Sequence, residues 1–544
     1  MNGSKRDTLD AVYPVSRARV DSEIWDHFLE SRAATSGPED LAGLLSLHAA
    51  QFDFPAFLPD LARIEWAMHE VRCSNTLPVL PEARIVLNPA LRLLRLSWRH
   101  LTGLVSDGAD GCFPNPEEGE EFVLLWRNIQ SGEVRLRPAS CEDLLALKVI
   151  VEEIEPQKAA AEGSVSIYAI EAAIDRAVGE GLLIRPPSRI RRETSSISPE
   201  CADDEALSAS VFTLQWHITQ ACDLHCRHCY DRSDRVLLDP SKAVAILDDF
   251  YRFCRDRNVR GQVSFTGGNP FLHPNFLDLY RAAAERRFGL AILGNPASRE
   301  LIEALIAIEH PVFYQVSLEG LRTHNDWSRG PGHFDRVLGF LDVLRDLGVY
   351  SMVMLTLTRD NMAQVLPLAD LLRGRTDLFT FNRLSKVGEG ANLQLPSKRD
   401  YMEFLTAYTK AAGDNPVISL KDNLINIVLH QKGMELFGGC TGYGCGAAFN
   451  FLTVLPDGEV HACRKFPSPI GNVTENSLAE IYDSGKARAY RAGCQACRSC
   501  AIRRVCGGCL AISHGSGGNP FEDMDPYCFI GDPSSGPARA GTTR

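Results

Sequence analysis

The sequence predicts an α/β protein built around a partial (β/α)6 barrel, and three observations lead there. From residue 211, runs of strand character alternate with helical patterns six times. Polar residues gather just after the strand runs, and beyond residue 435 the rhythm gives way to a cysteine-dense segment. Strands alternating with helices imply βα units and a parallel sheet. Six such units fit a closed or partly closed barrel, and an open doubly wound sheet satisfies the same pattern.

Residues 1–115 read as an N-terminal helical domain. "RVDSEIWDHFLESRA", "PEDLAGLLSLHAA" and "LPDLARIEWAMHEVR" place apolar residues at three- and four-residue intervals. The turn-rich stretch "SDGADGCFPNPEEGEE" separates them from two strand-like runs, "FVLLWRN" and "EVRLRPA", joined at Ser131-Gly132. With the helical patterns "CEDLLALKVIVEEIE" and "SIYAIEAAIDRAVGEGLLI", these runs predict a winged-helix-like module over 116–195. Such a module can capture a peptide by adding it as an extra strand. A scaffold or a nucleic-acid-binding winged helix fits the same pattern. Residues 196–210, acidic and serine-rich, read as a linker.

The six strand runs are "VFTLQWHIT", "QVSFTGG", "LAILGN", "VFYQVSLEG", "YSMVMLTLT" and "LFTFNRLS", within a barrel expected over 211–395. Helical patterns such as "SKAVAILDDFYRFCRDR" and "FDRVLGFLDVLRDLG" lie between them. A helical bridge follows over 396–435. The cysteine-dense domain, 436–531, contains a hairpin pattern, "NFLTVLPDGEVHAC", turning at Asp457-Gly458. The tail 532–544 is expected to be disordered.

Composition bounds the function. The chain has 544 residues, of which 45% are hydrophobic and 23% charged. Its polar start, "MNGSKRDTLD", lacks a signal-peptide core, and no apolar run approaches the ~18–20 residues of a membrane span. A soluble cytoplasmic protein is expected, with no membrane partner. A net charge of −12 argues against broad non-specific nucleic-acid binding. Nine of the 17 cysteines fall between Cys440 and Cys528, a clustering that reads as metal ligation rather than a disulfide scaffold.

The C-terminal strand ends of a βα barrel form the face that carries chemistry. Here they bring Cys222, Cys226 and Cys229, then Gly267-Gly268-Asn269, Asn295, Ser317 and Glu319, and finally Asn382 and Arg383. The CxxxCxxC spacing of "ACDLHCRHCY" allows two readings. A four-iron four-sulfur cube takes one thiolate per iron, so three thiols would leave one iron open. A zinc ion completed by His217, His225 or His228 is the other.

"TQACDLHCRHCY" resembles the signature of the radical S-adenosylmethionine enzymes. That resemblance covers at least 211–395 and implies a TIM-like partial barrel. It further implies an open 4Fe–4S cube that chelates S-adenosylmethionine and a 5′-deoxyadenosyl radical that abstracts a substrate hydrogen. "FTGGNP" resembles the family's GGE motif, with Asn269 in place of the glutamate that holds the methionine amino group. "QVSLEG" followed by "HNDWSRGPGHFDRVL" also resembles these enzymes, placing Ser317 and Glu319 towards ribose and methionine. The cofactor site implied is therefore Gly267, Gly268, Asn269, Asn295, Ser317, Glu319 and Arg383. No catalytic side chain is assigned.

The C-terminal cysteines resemble the SPASM domain of peptide-modifying radical enzymes, including "LPDGEVHAC" and "IGNVTENSLAEIY". A zinc ribbon is the bland reading of Cys497-xx-Cys500-xxxxx-Cys506-xx-Cys509, but such ribbons usually have ~15–20 residues between their pairs. By the resemblance, Cys440, Cys445, Cys463 and Cys509 hold one auxiliary 4Fe–4S cluster, and Cys497, Cys500, Cys506 and Cys528 hold a second. The chain departs from the pattern at Cys506-Gly-Gly-Cys509, where three intervening residues are common. Cys494 is a ninth thiol that either substitutes for a neighbouring ligand or stands as a bystander, and Cys254 reads as core packing. Cys73, Cys112, Cys141 and Cys201 show no ligand spacing.

The function implied is maturation of a ribosomally synthesised peptide, with a precursor peptide and an electron donor such as ferredoxin or flavodoxin as partners. The product would be a thioether or another crosslink. Maturation of a folded protein or action on a small molecule is the alternative within the family, and a non-catalytic iron–sulfur or zinc protein lies outside it. Sulfatase-maturing enzymes carry an acidic residue just after the cysteine matching Cys463. Here Arg464 stands there, which weakens that variant.

Overall fold

The structure, a computed structural model, describes residues 3–32, 37–74, 84–105, 114–128, 131–163, 167–192 and 207–531. It divides into two compact units, Met1–Pro187 and Ser188–Arg544.

In the first unit the expected helices form at Ser22–Arg32, Leu41–Phe52 and Leu58–Cys73. They close on a core containing Trp25, Phe28, Leu45 and Leu61. Five strands follow: β1 (Val86–Leu87), β2 (Arg92–Arg99), β3 (Glu117–Arg127), β4 (Val134–Pro138) and β5 (Leu183–Ile184). One correction concerns β2, which lies inside the span expected to be helical. It pairs antiparallel with β3 from Arg92↔Leu125 to Arg99↔Glu117, giving a three-stranded sheet in the order β2-β3-β4. The boundary expected at 115/116 therefore cuts through this sheet. The reason is periodicity: Leu94, Leu96 and Trp98 turn inward while Leu93, Arg95 and Ser97 point out, the two-residue repeat of a half-buried strand. Helices Cys141–Val151, Pro156–Gly163 and Ile167–Glu180 share a core with this sheet through Leu147, Ala160, Ile170 and Ile174 with Leu124 and Trp126.

Most of the expected linker, and all of the expected disordered tail, lies outside the described residues. The described end of the linker is not loose: Leu207 and Ala209 are fully buried, and Arg191 bridges to Ser208.

The second unit carries β6 (Val211–Thr219), β7 (Arg260–Gly267), β8 (Gly289–Leu293), β9 (Phe313–Ser317), β10 (Ser351–Leu357) and β11 (Leu378–Arg383). All six are parallel and pair in sequence order. β6 and β11 do not pair with one another, so the six strands form an open, partial barrel. The cysteine-dense domain adds β12 (Phe451–Val454), β13 (Glu459–His461) and β14 (Pro469–Asn472). β12 lies parallel to β6, and β13 and β14 continue antiparallel, making one sheet of nine strands. The hairpin at Asp457-Gly458 thus extends the barrel sheet, a pairing that sequence spacing could not reveal. Gly458 adopts φ +88°, which favours glycine at this turn.

Candidate active site

Beyond Thr219, where β6 ends, the chain loops through all three clustered cysteines, and the end of β7 packs directly on that loop. Gly268 donates its N–H to Thr219 O at 2.8 Å, and Asn269 donates to Ala221 O at 2.7 Å. A Cβ at Gly267 would stand 2.1 Å from Thr219 O, and one at Gly268 2.2 Å from Ala221 O. Gly267 also has φ +126°. The paired glycines therefore permit backbone-on-backbone contact with the cysteine loop, beyond merely ending a strand.

A cavity of about 210 Å³ opens there, lined by Cys222, Cys226, Cys229, Gly267, Gly268, Asn295, Ser317 and Arg383. Asn269 and Glu319 stand behind its wall. The Asn269 amide donates to Asp223 Oδ1 at 3.0 Å and accepts from the Phe271 N–H at 3.3 Å. Asn295 donates to the same Asp223 oxygen at 2.6 Å and lies 3.8 Å from Cys222 Sγ. Glu319 is 1% exposed and accepts from Arg329 at 2.6 Å and from the Thr356 N–H at 2.7 Å. Burial alone would raise its pKa, but His228, Arg329 and these hydrogen bonds hold it below the usual carboxylate range. Arg383 reaches the cavity with its donors committed, to Asp422 at 2.7 Å and to both oxygens of Asp525 at 2.8 and 2.6 Å.

Sequence reasoning missed Arg329 and Asp223. Arg329 Nη1 lies 3.6 Å from Cys226 Sγ, placing a buried cation beside a thiol. Its signal was available in "HNDWSRG", which was read only as a family likeness.

The three histidines offered as zinc ligands are engaged elsewhere. His217 Nε2 faces Tyr230 Oη at 3.4 Å, His225 Nδ1 meets Arg232 at 2.9 Å, and His228 Nδ1 meets Ser328 Oγ at 3.2 Å. Burial pushes His217 down to about 3 and His228 down to about 4, so both are neutral at pH 7. Among the described residues, no three Cys, His, Asp or Glu side chains converge tightly enough to hold one metal ion.

The remaining thiols form two groups. Cys445 lies within electrostatic reach of Cys440 and Cys509, and Cys463 within reach of Cys445 and Cys509. Burial pushes Cys445 up to about 11 and Cys463 up to about 12. Cys497, Cys500, Cys506 and Cys528 line one cavity of about 30 Å³ with apolar walls that include Leu424, Ile427 and Ile502. Cys494 is outside that lining and donates to Glu522 O at 3.4 Å. Asp525 joins the barrel to this domain: the oxygen that binds Arg383 also accepts from the Cys509 N–H at 3.0 Å.

Residues 216–372 match the radical SAM superfamily, and residues 445–509 match the SPASM iron-sulfur cluster-binding domain. The chain carries a radical SAM domain and a SPASM domain. Three relatives are similar to it. The AdoMet-dependent heme synthase of Methanosarcina barkeri is 24% identical, over 60% of this chain and 98% of its own length. The antilisterial bacteriocin subtilosin biosynthesis protein AlbA of Bacillus subtilis is 23% identical, over 54% and 66%. The mycofactocin maturase MftC of Mycolicibacterium smegmatis is 27% identical, over 58% and 82%.

The thiols of this radical SAM/SPASM chain suit 4Fe–4S clusters. A cube holds its four ligands around a volume rather than at a point, and Cys497, Cys500, Cys506 and Cys528 surround a small apolar cavity. The three loop cysteines face an open cavity instead. Buried thiols bind iron as thiolates, and the metal's charge offsets the burial that otherwise raises them.

Proposed function

We propose that this radical SAM enzyme matures a ribosomally synthesised peptide. The carrying observation is the cavity itself, which has the three-cysteine loop on one wall and Arg464 and Lys465, the residues after Cys463, on another. The first cluster site thus shares its cavity with the two residues that follow Cys463 in the SPASM domain. When bound, the first cluster supplies the electron that splits S-adenosylmethionine into methionine and a 5′-deoxyadenosyl radical.

The protein's own residues do the rest. Cys222, Cys226 and Cys229 would hold the cluster by three thiolates, which would leave it able to take S-adenosylmethionine. Gly267, Gly268, Asn295 and Ser317 form the wall against which it lies. Asn269 and Glu319 act as positioning residues, the first through Asp223 and the second through Arg329. Arg383 ties the strand ends to the SPASM loop through Asp525. The names of AlbA and MftC support a peptide substrate. So does the three-stranded sheet of the first unit, whose edges suit strand addition. The heme synthase relative favours a small molecule as the second reading. A low-potential donor of the ferredoxin or flavodoxin type completes the scheme, in the reducing cytoplasm, where free thiols persist.

The test is anaerobic incubation of the reconstituted protein with S-adenosylmethionine, a reductant and a precursor peptide encoded beside its gene. The expected result is 5′-deoxyadenosine together with a peptide that has lost hydrogen, seen by mass spectrometry. Failure to form 5′-deoxyadenosine rejects the enzyme. Its formation with the peptide unchanged, but with a tetrapyrrole altered, favours the second reading.

A further inference from the structure

Behind the 210 Å³ cavity lies a second one, of about 680 Å³, inside the barrel towards the strand N-termini. The two share Leu293, Gln315, Met354 and Arg464, so those four side chains stand at the boundary that a segment bound along this passage would cross from one to the other. A barrel interior is normally filled by branched apolar side chains. This one adds amides to its apolar lining: Gln215, Gln262, Gln315 and Asn450 stand beside Phe313, Met352 and Phe451 in the larger cavity. Gln315 is 9% exposed, and among the described residues its amide has no hydrogen-bond partner.

The charges are one-sided. Lys421 and Arg464 line the larger cavity, and no Asp or Glu does so among the described residues. Asp231 is the acidic residue on the smaller cavity wall, and its oxygens are taken by Gln220, Ser233 and Arg235. Arg464 has one weak contact, to Thr266 Oγ1 at 3.5 Å, and is ion-paired with no carboxylate among the described residues. Arg464 is half-buried on the wall of both cavities, so its guanidinium can meet an anionic ligand without displacing a carboxylate of the chain. Lys465 differs, because its charge lies beside the Cys463 thiol. Arg464 is turned instead towards Thr266, His217 and Tyr230.

We propose that the segment entering this passage is acidic, and that Arg464, with the Gln315 amide beside it, holds a substrate carboxylate at the boundary between the two cavities. This rests on the peptide reading above and adds a substrate class to it. A guanidinium can bind both oxygens of a carboxylate at once, and the amide can donate to one of them. Lys421 then serves a second acidic group deeper in the larger cavity. The passage accommodates an extended peptide, whose own amides find partners in Gln215, Gln262 and Asn450.

The test is selection of a randomised short-peptide library on the iron-loaded full chain and on Arg464→Gln, Arg464→Lys and Arg464→Glu. Iron content and S-adenosylmethionine binding verify each variant. The expected result is a parent pool enriched in Asp and Glu, retained by Arg464→Lys, lost in Arg464→Gln and shifted to Lys and Arg in Arg464→Glu. A resynthesised acidic peptide should bind Arg464→Gln roughly ten- to a hundred-fold more weakly. If Arg464→Gln fails to load iron, Lys421→Gln, remote from the cysteine loop, should still lose part of the acidic preference. A parent pool without acidic enrichment, or enrichment equal in parent and Arg464→Gln, overturns the proposal. Recovery of no peptide by any form overturns the peptide reading itself, and this proposal with it.

Discussion

Arg329 and Glu319 set the charge behind the cysteine loop. Both are buried, and Arg329 touches the carboxylate and the Cys226 thiol at once. Removing one member of a buried pair strands the other, at a cost of roughly 3–5 kcal/mol, whereas removing both is far milder. Arg329→Met is therefore expected to lower the thermal midpoint steeply, and Arg329→Met/Glu319→Gln to regain most of the loss. A double variant no better than the single one would mean that Arg329 acts mainly on the thiol. A second expectation concerns Asn269, which donates to Asp223. Asn269→Glu sets two carboxylates against each other, so it should weaken S-adenosylmethionine binding, measured by titration calorimetry. Adding Asp223→Asn should return the affinity. Binding undiminished in Asn269→Glu alone would show that the two side chains separate freely. The wall residues Gly267, Gly268, Asn295 and Ser317 were legible because each ends a strand or follows one within two residues. Glu319 and Asn269 also lie at strand ends, but packing decides which way a side chain turns, and here it turns them to Arg329 and Asp223.

At the level of elements, the six barrel strands were legible because each is a short apolar run closed by polar residues. β2 was not, since its adjacent leucines fit a helix or a strand until β3 supplies the partner. The joining of β12 to β6 was equally hidden, because pairing across more than 200 residues leaves no local mark. The helix Cys141–Val151 offers a pH test of how its start is held. Burial would raise Asp143, but Arg137 at 2.6 Å and the Ser140 N–H and hydroxyl bring it down to about 2 from 3.8. A lowered folded pKa stabilises above the unfolded value and ceases to do so as pH falls through the folded one. Asp143, 3% exposed, should thus contribute about 2 kcal/mol at pH 6, fading between pH 4 and 2. The urea midpoint of Asp143→Asn should fall below that of the parent at pH 6, and the gap should narrow below pH 4 and close as pH approaches 2. A gap independent of pH would assign the effect to the capping hydrogen bonds rather than to charge.

For the whole molecule, the division of labour between the two units is the property to test. All eleven thiols assigned to clusters lie in Ser188–Arg544, and none in Met1–Pro187. Three cubes correspond to about 12 irons per chain. Cys222→Ala/Cys226→Ala/Cys229→Ala should leave about eight and abolish cleavage of S-adenosylmethionine. Deleting residues 1–187 should change neither quantity, because the second unit has its own core and every ligand. The deletion removes the sheet whose β2 and β4 edges suit a bound strand, so the affinity for a precursor peptide should fall while uncoupled cofactor cleavage continues. A drop in iron content would instead make the first unit part of the cluster domain's stability. Intact iron with unchanged peptide affinity would move recognition of the whole substrate into the barrel passage, leaving Arg464 and Lys421 to carry it.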